Sequence, residues 1–300
     1  MTTNSMILTF EDYEVQAHKL ARALNTPCRI IQRHRFPDAE SKLTLPAKLP
    51  EHVIFCRSLD HPNEKLLELL LAAKTARDLG ASTLTLVAPY LCYMRQDKAF
   101  NPGEVVSQGI VGGFLAGLFE NVITIDPHLH RIQHLEQAIP TKNAVTLSAT
   151  SLMAEFLQAR VKASALPEPV LLGPDKESAQ WVSAVARPEK WAYGVCEKTR
   201  TGDKNVAIKL PEIDLKNRAV VIVDDVASSG QTLLQAAKIC LEYQAKHVDV
   251  LVTHALFVDE VTQQLSDVGV RNIWSTDSVS HASNVIDLDD LIKDALLKLQ

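Results

Sequence analysis

The sequence predicts an α/β protein of two similar domains, each a mostly parallel sheet flanked by helices. Three observations predict it. Short apolar, β-branched runs alternate with longer segments of helical spacing, the order that a parallel sheet with crossover helices requires. The pattern begins afresh after Pro140. Each half also contains a strand that ends in acidic residues, Val122 to Asp126 and Val220 to Asp225, at the carboxyl end where parallel sheets bind ligands. The domains are expected at 1–145 and 146–300, the last helix being a candidate to pack back on the first. A chain of 300 residues, 46% hydrophobic and 22% charged, is long enough for two cores. A formal charge of −5 gives no electrostatic case for nucleic acid or an anionic membrane. No apolar run reaches the roughly 18 residues of a spanning helix, and no basic-then-apolar signal segment opens the chain. Five cysteines, Cys28, Cys56, Cys92, Cys196 and Cys240, form no C-x-x-C pair and read as reduced thiols of a cytoplasmic protein.

In chain order, Glu11 to Leu24 has helical spacing, Arg29 to Gln32 reads as a strand, and a charged turn spans Arg33 to Glu40. Lys42 to Leu45 and Val53 to Cys56 read as strands. Asn63 to Leu79 is the clearest helix, its apolar face given by Leu66, Leu67, Leu70, Ala73 and Leu79, between Pro62 and Gly80. After the strand Thr83 to Ala88 comes the polar loop Tyr90 to Gly103. Glu104 to Phe119 reads as a helix whose glycines suggest close packing against a sheet, and Val122 to Ile125 is a strand. In the second half, Ser151 to Arg160 is helical, Val170 to Leu172 a strand, and Gln180 to Ala186 helical. Tyr193 to Asn205 reads as a mobile polar loop before the strand Val206 to Leu210. A helix to about Ala245, a strand Val248 to Phe257, a helix Asp259 to Asp267, a strand Asn272 to Thr276 and a helix Asp287 to Leu299 complete the chain, with Asp287 as cap.

The most informative stretch is Ala219 to Thr232, A-V-V-I-V-D-D-V-A-S-S-G-Q-T. Its apolar run reads as a strand buried on both faces, ending at Asp224 and Asp225. Ser228, Ser229, Gly230 and Thr232 then present backbone N–H groups and hydroxyls at a helix N-terminus, a natural anion site. Ionised Asp224 and Asp225 suit vicinal sugar hydroxyls or a hydrated Mg²⁺. Acidic pair plus phosphate cradle suggests a sugar phosphate.

This loop resembles the ribose-phosphate loop of type I phosphoribosyltransferases and of ribose-phosphate pyrophosphokinases. Other motifs favour the second family: R-F-P-D-A-E (Arg35 to Glu40), P-N-E-K-L-L-E-L-L (Pro62 to Leu70), P-Y-L-C-Y-M-R-Q-D (Pro89 to Asp97), T-I-D-P-H (Thr124 to His128), G-P-D-K-E (Gly173 to Glu177) and E-K-T-R (Glu197 to Arg200). The resemblance spans essentially the whole chain and implies a type I phosphoribosyltransferase-like fold in both domains. It also implies transfer of the β,γ-diphosphate of ATP to the 1-hydroxyl of ribose 5-phosphate, giving phosphoribosyl diphosphate and AMP.

By that resemblance, Phe36, Asp38 and Glu40 bind the adenine of ATP, and their loop reaches a neighbouring subunit's site. A homo-oligomer is thus implied, a dimer or higher up to a hexamer. Arg95, Gln96 and Asp97 lie beside the ATP phosphates and ribose. His128 and Asp175 match residues that help hold Mg²⁺, the implied cofactor. Lys198 and Arg200 match the catalytic pair that neutralises the transferring diphosphoryl group. Asp224 and Asp225 match the ribose-hydroxyl ligands, and Ser228, Ser229, Gly230, Gln231 and Thr232 the 5-phosphate loop. His128, His130 and His134 lack the Cys or acidic spacing that zinc would call for. The chain departs from the family at Ala39 (usually Gly), Pro127 (usually Leu), Lys176-Glu177-Ser178 (often Gly-rich) and Gln231 (commonly small). Those departures leave a non-catalytic regulatory paralogue as the alternative, and a phosphoribosyltransferase behind it.

Overall fold

A computed structural model describes residues 4–129, 131–201 and 205–299, with backbone alone at 198–201 and 205–208. His130, named above, and residues 202–204 of the expected polar loop lie outside the described residues. The chain forms two compact units: Met1–Leu147 with Ser278–Ser280 and Leu288–Gln300, and Ser148–Asp277 with His281–Asp287.

In the first unit, β1 (Ser5–Thr9), α1 (Glu14–Leu24) and β2 (Cys28–Ile30) lead into a hairpin of β3 (Gln32–Arg35) and β4 (Ser41–Thr44). Then follow β5 (His52–Cys56), α2 (Pro62–Asp78), β6 (Thr83–Val87), α3 (Ser107–Ala116), β7 (Asn121–Ile125) and β8 (Asn143–Leu147). Six of these strands form one sheet in the order β2-β1-β5-β6-β7-β8, parallel throughout. The C-terminal helix, Asp289–Lys298, lies against α1 in this unit. Leu8, Phe55, Leu84, Leu86 and Val122 form the centre of the core.

The second unit runs α4 (Thr150–Lys162), β9 (Pro169–Gly173), α5 (Ala179–Ala186), β10 (Tyr193–Val195), β11 (Glu197–Thr201) and β12 (Asn205–Lys209). It continues with β13 (Ala219–Ala227), α6 (Gln231–Glu242), β14 (His247–Ala255), α7 (Asp259–Asp267), β15 (Val270–Thr276) and β16 (Asn284–Ile286). Its sheet has the order β10-β9-β13-β14-β15-β16, again parallel. The two units therefore share one topology. In each, a hairpin that pairs only with itself is inserted between the second and third strands of the sheet: β3–β4 in one, β11–β12 in the other.

Several sequence expectations change. The spacing gave no hint of β1 or β8, each of five residues. Tyr193 to Asn205 is no loop: β10 joins the sheet edge and β11 pairs with β12. β13 does not end at Asp225 but continues to Ala227, because the equally long β14 goes on pairing with it through Val226 and Ala227. α3 is shorter than Glu104 to Phe119, and of its glycines Gly112 is the one in close contact. A Cβ there would lie 1.8 Å from the Ala138 carbonyl oxygen, so the close packing is against a loop backbone and not a sheet. The buried face of α2 consists of Glu68, Leu69, Ala72, Ala73 and Ala76, while Leu67 is 56% exposed. Small alanines let the helix approach the sheet, and the leucines flank that contact. The last helix is capped by Leu288 without a side-chain bond, so Asp287 is not its cap.

Candidate active site

In the second unit the C-terminal part of β13 and the turn after β9 bring three carboxylates together. Asp224 and Asp225 are the sixth and seventh residues of β13. The Asp225 N–H donates to Asp224 Oδ1 at 3.0 Å, and Asp225 is 2% exposed. Asp175, two residues past β9, is close enough to act on Asp224. Burial, then the charges of Asp225 and Asp175, push the Asp224 carboxyl well above the usual carboxylate range. Like charges held this close are costly unless a cation or hydroxyl donors compensate. The proximity of Asp175 to the aspartate pair was not legible from spacing, since some fifty residues of chain lie between them.

Immediately after β13, Ser228 and Ser229 are exposed and Gly230 takes φ 68°, ψ −6° as the residue before α6. Gly230 supplies no cap side chain, and the first-turn N–H groups of a helix have no intrahelical partners. Gln231 is exposed and Thr232 half-buried in that first turn. The arrangement can hold a dianion at the helix start and a polyol at the carboxylates. Upstream, β11 carries Lys198 and Arg200, in register with Ile208 and Val206 of β12.

In the first unit the hairpin loop carries Phe36, Asp38 and Glu40. The Phe36 N–H donates to the Glu40 carbonyl at 2.8 Å, and the Ala39 N–H to the Phe36 carbonyl at 2.9 Å. Asp38 Oδ1 accepts from the Glu40 N–H at 3.2 Å. The Phe36 ring is 41% exposed, with its centroid 4.8 Å from that of His34, edge to face. An exposed ring on a hydrogen-bonded turn is available for stacking.

Arg95, Gln96 and Asp97 follow β6 in a loop fixed by α3: Gln108 donates through its backbone to the Gln96 carbonyl at 3.1 Å and through Nε2 to the Met94 carbonyl at 3.0 Å. Tyr93, at φ 61°, donates to Asn63 Oδ1 at 2.5 Å. Arg95 is exposed. The Asp97 side chain is 2% exposed and ion-paired to Arg131, a residue that the sequence pattern gave no reason to single out. His128, half-buried, lies three residues past β7. Asp97 and His128 therefore both follow parallel strands at their carboxyl ends.

A family model described as the N-terminal domain of ribose phosphate pyrophosphokinase matches residues 5–117. A second, the phosphoribosyl transferase domain, matches residues 148–284. The ribose-phosphate pyrophosphokinase of Saccharolobus solfataricus is 31% identical over 278 residues, spanning 90% of this chain and 92% of its own. The chain belongs to the ribose-phosphate pyrophosphokinase family. The Methanobrevibacter smithii member is 29% identical over 297 residues, 94% of this chain and 96% of its own. A crystal structure of phosphoribosylpyrophosphate synthetase from Mycobacterium smegmatis superposes with a TM-score of 0.83 at 18% identity, covering 99% and 98% of the two chains, and shares the fold.

The departures from the family's pattern have structural readings in this member. Ala39 takes φ 73°, the left-handed region that explains a glycine there. Lys176-Glu177-Ser178 forms a tight helical turn capped by Asp175, whose Oδ1 accepts from the Glu177 N–H at 3.1 Å, while Ser178 Oγ donates to the Asp175 carbonyl at 2.6 Å. Gln231 adds an exposed side chain to the first turn of α6 without blocking it. Pro127 is buried beside Asp126, which has φ 37° and donates its N–H to the Leu147 carbonyl at 2.8 Å.

Proposed function

We propose that this chain transfers the β,γ-diphosphate of ATP to the 1-hydroxyl of ribose 5-phosphate, releasing phosphoribosyl diphosphate and AMP. The observation that carries this reading is β13 delivering Asp224 and Asp225 directly into the Gly230-led start of α6. That element offers polyol acceptors and phosphate donors in one continuous segment. Asp224 and Asp225 take the ribose hydroxyls, and Ser228, Ser229, Gly230, Gln231 and Thr232 take the 5-phosphate. Phe36 stacks on adenine, and Asp38 and Glu40 accept from its amino group. Arg95, Gln96 and Asp97 address the ATP phosphates and ribose. Lys198 and Arg200 neutralise the charge that develops on the transferring group, where electrostatic stabilisation does most of the catalytic work.

Mg²⁺ is the cofactor assigned to His128 and Asp175. Among the described residues no group of three His, Cys, Asp or Glu side chains is arranged as a metal cage. The carboxylates of Asp175 and Asp224, mutually repelling, nonetheless fit a hard cation whose shell is completed by phosphate oxygens and water. When bound, the ion neutralises the diphosphoryl oxygens. The reading takes the enzyme to be a homo-oligomer in which the Phe36–Glu40 loop serves a neighbouring site. Five free, buried cysteines support a cytoplasmic setting.

The test is to incubate the purified protein with Mg²⁺, ATP and ribose 5-phosphate, measuring AMP and phosphoribosyl diphosphate, alongside Lys198→Ala. Equimolar products are expected, with turnover in the variant falling at least about a hundredfold and a smaller change in the KM for ribose 5-phosphate. Absence of both products from folded protein at varied phosphate would favour the regulatory paralogue, and near-normal turnover of Lys198→Ala would remove the catalytic assignment.

A further inference from the structure

Among the described residues the β3–β4 hairpin pairs with no other strand, and every residue of β3 is exposed. A two-stranded ribbon is marginal by itself, so its contacts with the body of the unit decide where its loop sits. Those contacts converge on α2. Arg33 Nη1 lies 3.3 Å from Glu68 Oε1 and Ser41 Oγ donates to the same oxygen at 3.3 Å, one partner from each hairpin strand.

Glu68 is itself 2% exposed, an anion that burial would penalise severely without a counter-charge. The counter-charge is Arg57, 1% exposed, whose Nη1 lies 2.7 Å from Glu68 Oε2. That approach gives charge neutralisation, though neither atom is aligned for a hydrogen bond. Arg57 is fixed from its other side by Asp12, through Nε at 3.1 Å and Nη2 at 2.9 Å, and its guanidinium carbon stands 3.8 Å over the Phe10 ring. Lys65 reaches Asp12 at 3.2 Å. Asp12 and Glu68 are thus matched by Arg57 and Lys65 in the interior, and Arg33 is the cation that extends the network outward to the hairpin.

We propose that Glu68, held in place by Arg57, is a positioning residue for nucleotide binding: it sets the hairpin through Arg33 and Ser41, and so the Phe36–Glu40 loop. This inference rests on the reading of that loop as the adenine site. A buried, doubly restrained carboxylate is a stiff anchor, since moving it would separate a buried ion pair. The hairpin inherits that stiffness along both strands, at Arg33 and at Ser41, whose pairing with Arg35 closes the loop, while the loop stays open for the nucleotide. A purely structural ion pair would need no bond to the hairpin, and both hairpin partners choose the one oxygen, Oε1, that does not face Arg57.

The experiment uses Arg33→Gln and Ser41→Ala, which leave the buried pair intact, with Glu68→Gln and the double variant Arg33→Gln/Glu68→Gln. Initial rates are measured against ATP and against ribose 5-phosphate, and ATP binding is followed by titration calorimetry. Asp12→Asn, which loosens Arg57 on the side away from the hairpin, is the stability control. Expected are a rise of about three- to tenfold in the KM or Kd for ATP in the single hairpin variants, unchanged kcat, and unchanged KM for ribose 5-phosphate. The double variant should be no worse than Glu68→Gln, because both act through one contact. An unchanged ATP constant in Arg33→Gln and Ser41→Ala overturns the inference, as does a fall of all parameters together that Asp12→Asn reproduces. If the parent enzyme binds ATP but forms no product, the functional reading fails alone and the calorimetric shifts still decide the anchor. If it binds no ATP, both fall.

Discussion

Gly230 is the position at which a single methyl group tests the sugar-phosphate cradle most directly. It sits at φ 68°, and a Cβ placed there would lie 2.1 Å from Val261 Cγ1. Two independent costs follow for Gly230→Ala. An L-residue in the left-handed region costs about 1–2 kcal/mol. Relieving the overlap costs about 1–3 kcal/mol more, because Val261 is a β-branched residue of α7 that is 9% exposed and one χ1 rotamer dominates for valine in a helix. The sum, about 2–5 kcal/mol, is a large share of the stability of an ordinary domain. The strain falls on the turn that aims the first N–H groups of α6, so the KM for ribose 5-phosphate should rise along with the loss of stability. Urea denaturation measures the first effect and initial rates the second. Introducing Gly230→Ala into a Val261→Ala background removes the steric part and should leave only the conformational cost of about 1–2 kcal/mol. A cost below about 0.5 kcal/mol in the parent, or the same cost in both backgrounds, would refute the reasoning.

The reverse substitution is informative at Ala39, whose φ is 73°. Ala39→Gly should stabilise by roughly 0.5–1 kcal/mol, the left-handed strain relieved less the extra freedom of glycine in the unfolded chain, read as a higher midpoint in thermal denaturation. Asp12 gives a pH signature. Burial would raise its carboxyl, but the charge and hydrogen bonds of Arg57, then of Lys65, outweigh this and lower it below 3.8. A depressed folded value means stability that is present above the unfolded value and lost as pH falls through the folded one. The stability gap between the parent and Asp12→Asn should therefore be full near neutrality and shrink below about pH 4, as followed by urea midpoints across pH. The cysteines provide the last check. Burial, the largest effect at each, pushes Cys92, Cys196 and Cys240 up to about 12 and Cys28 to about 11. A thiol-specific chromogenic disulfide should label the native protein slowly at pH 8 and all five thiols rapidly in denaturant; rapid stoichiometric labelling of the native state would contradict the packing.

What the sequence made legible was what is local. β13 and α6 could be read from one continuous segment because an apolar run, two aspartates and a small-residue turn each carry their own physical signature. Their union is also the part of the site that needs no distant partner to be understood. β13 was read two residues short at its end for a non-local reason: Asp224 and Asp225 would end a strand by propensity, yet β14 has partners for the ladder as far as Ala227. Polar composition likewise disguised β11, which pairs with β12, the strand read at Val206 to Leu210. On α2, the large leucines outweighed the alanines in the pattern, although the alanines face the sheet. Glu68 was invisible in principle, since only tertiary structure brings Arg57, Arg33 and Ser41 to it. The same holds for Arg131 on Asp97.

The repeated topology suggests why the site residues divide as they do. In both units the rigid sheet ends hold carboxylates, at Asp126 after β7 and at Asp224 and Asp225 on β13. In both units the inserted hairpin holds residues assigned to the nucleotide or to the transferring group. A parallel sheet fixes what stands at its carboxyl ends, because moving one strand would break ladders on two sides. That suits the ribose hydroxyls and 5-phosphate, whose geometry must aim the 1-hydroxyl. The β3–β4 hairpin is set by a few side-chain bonds to α2 and not by a neighbouring strand, so its loop can be positioned independently of the sheet. What the two units repeat is the point at which the hairpin is inserted, and sequence can diverge on the hairpins, as at Ala39, without disturbing the sheets. Changes at the contacts of the β3–β4 hairpin with α2 should therefore alter nucleotide handling while sparing the sugar-phosphate site, and changes at β13 should do the opposite.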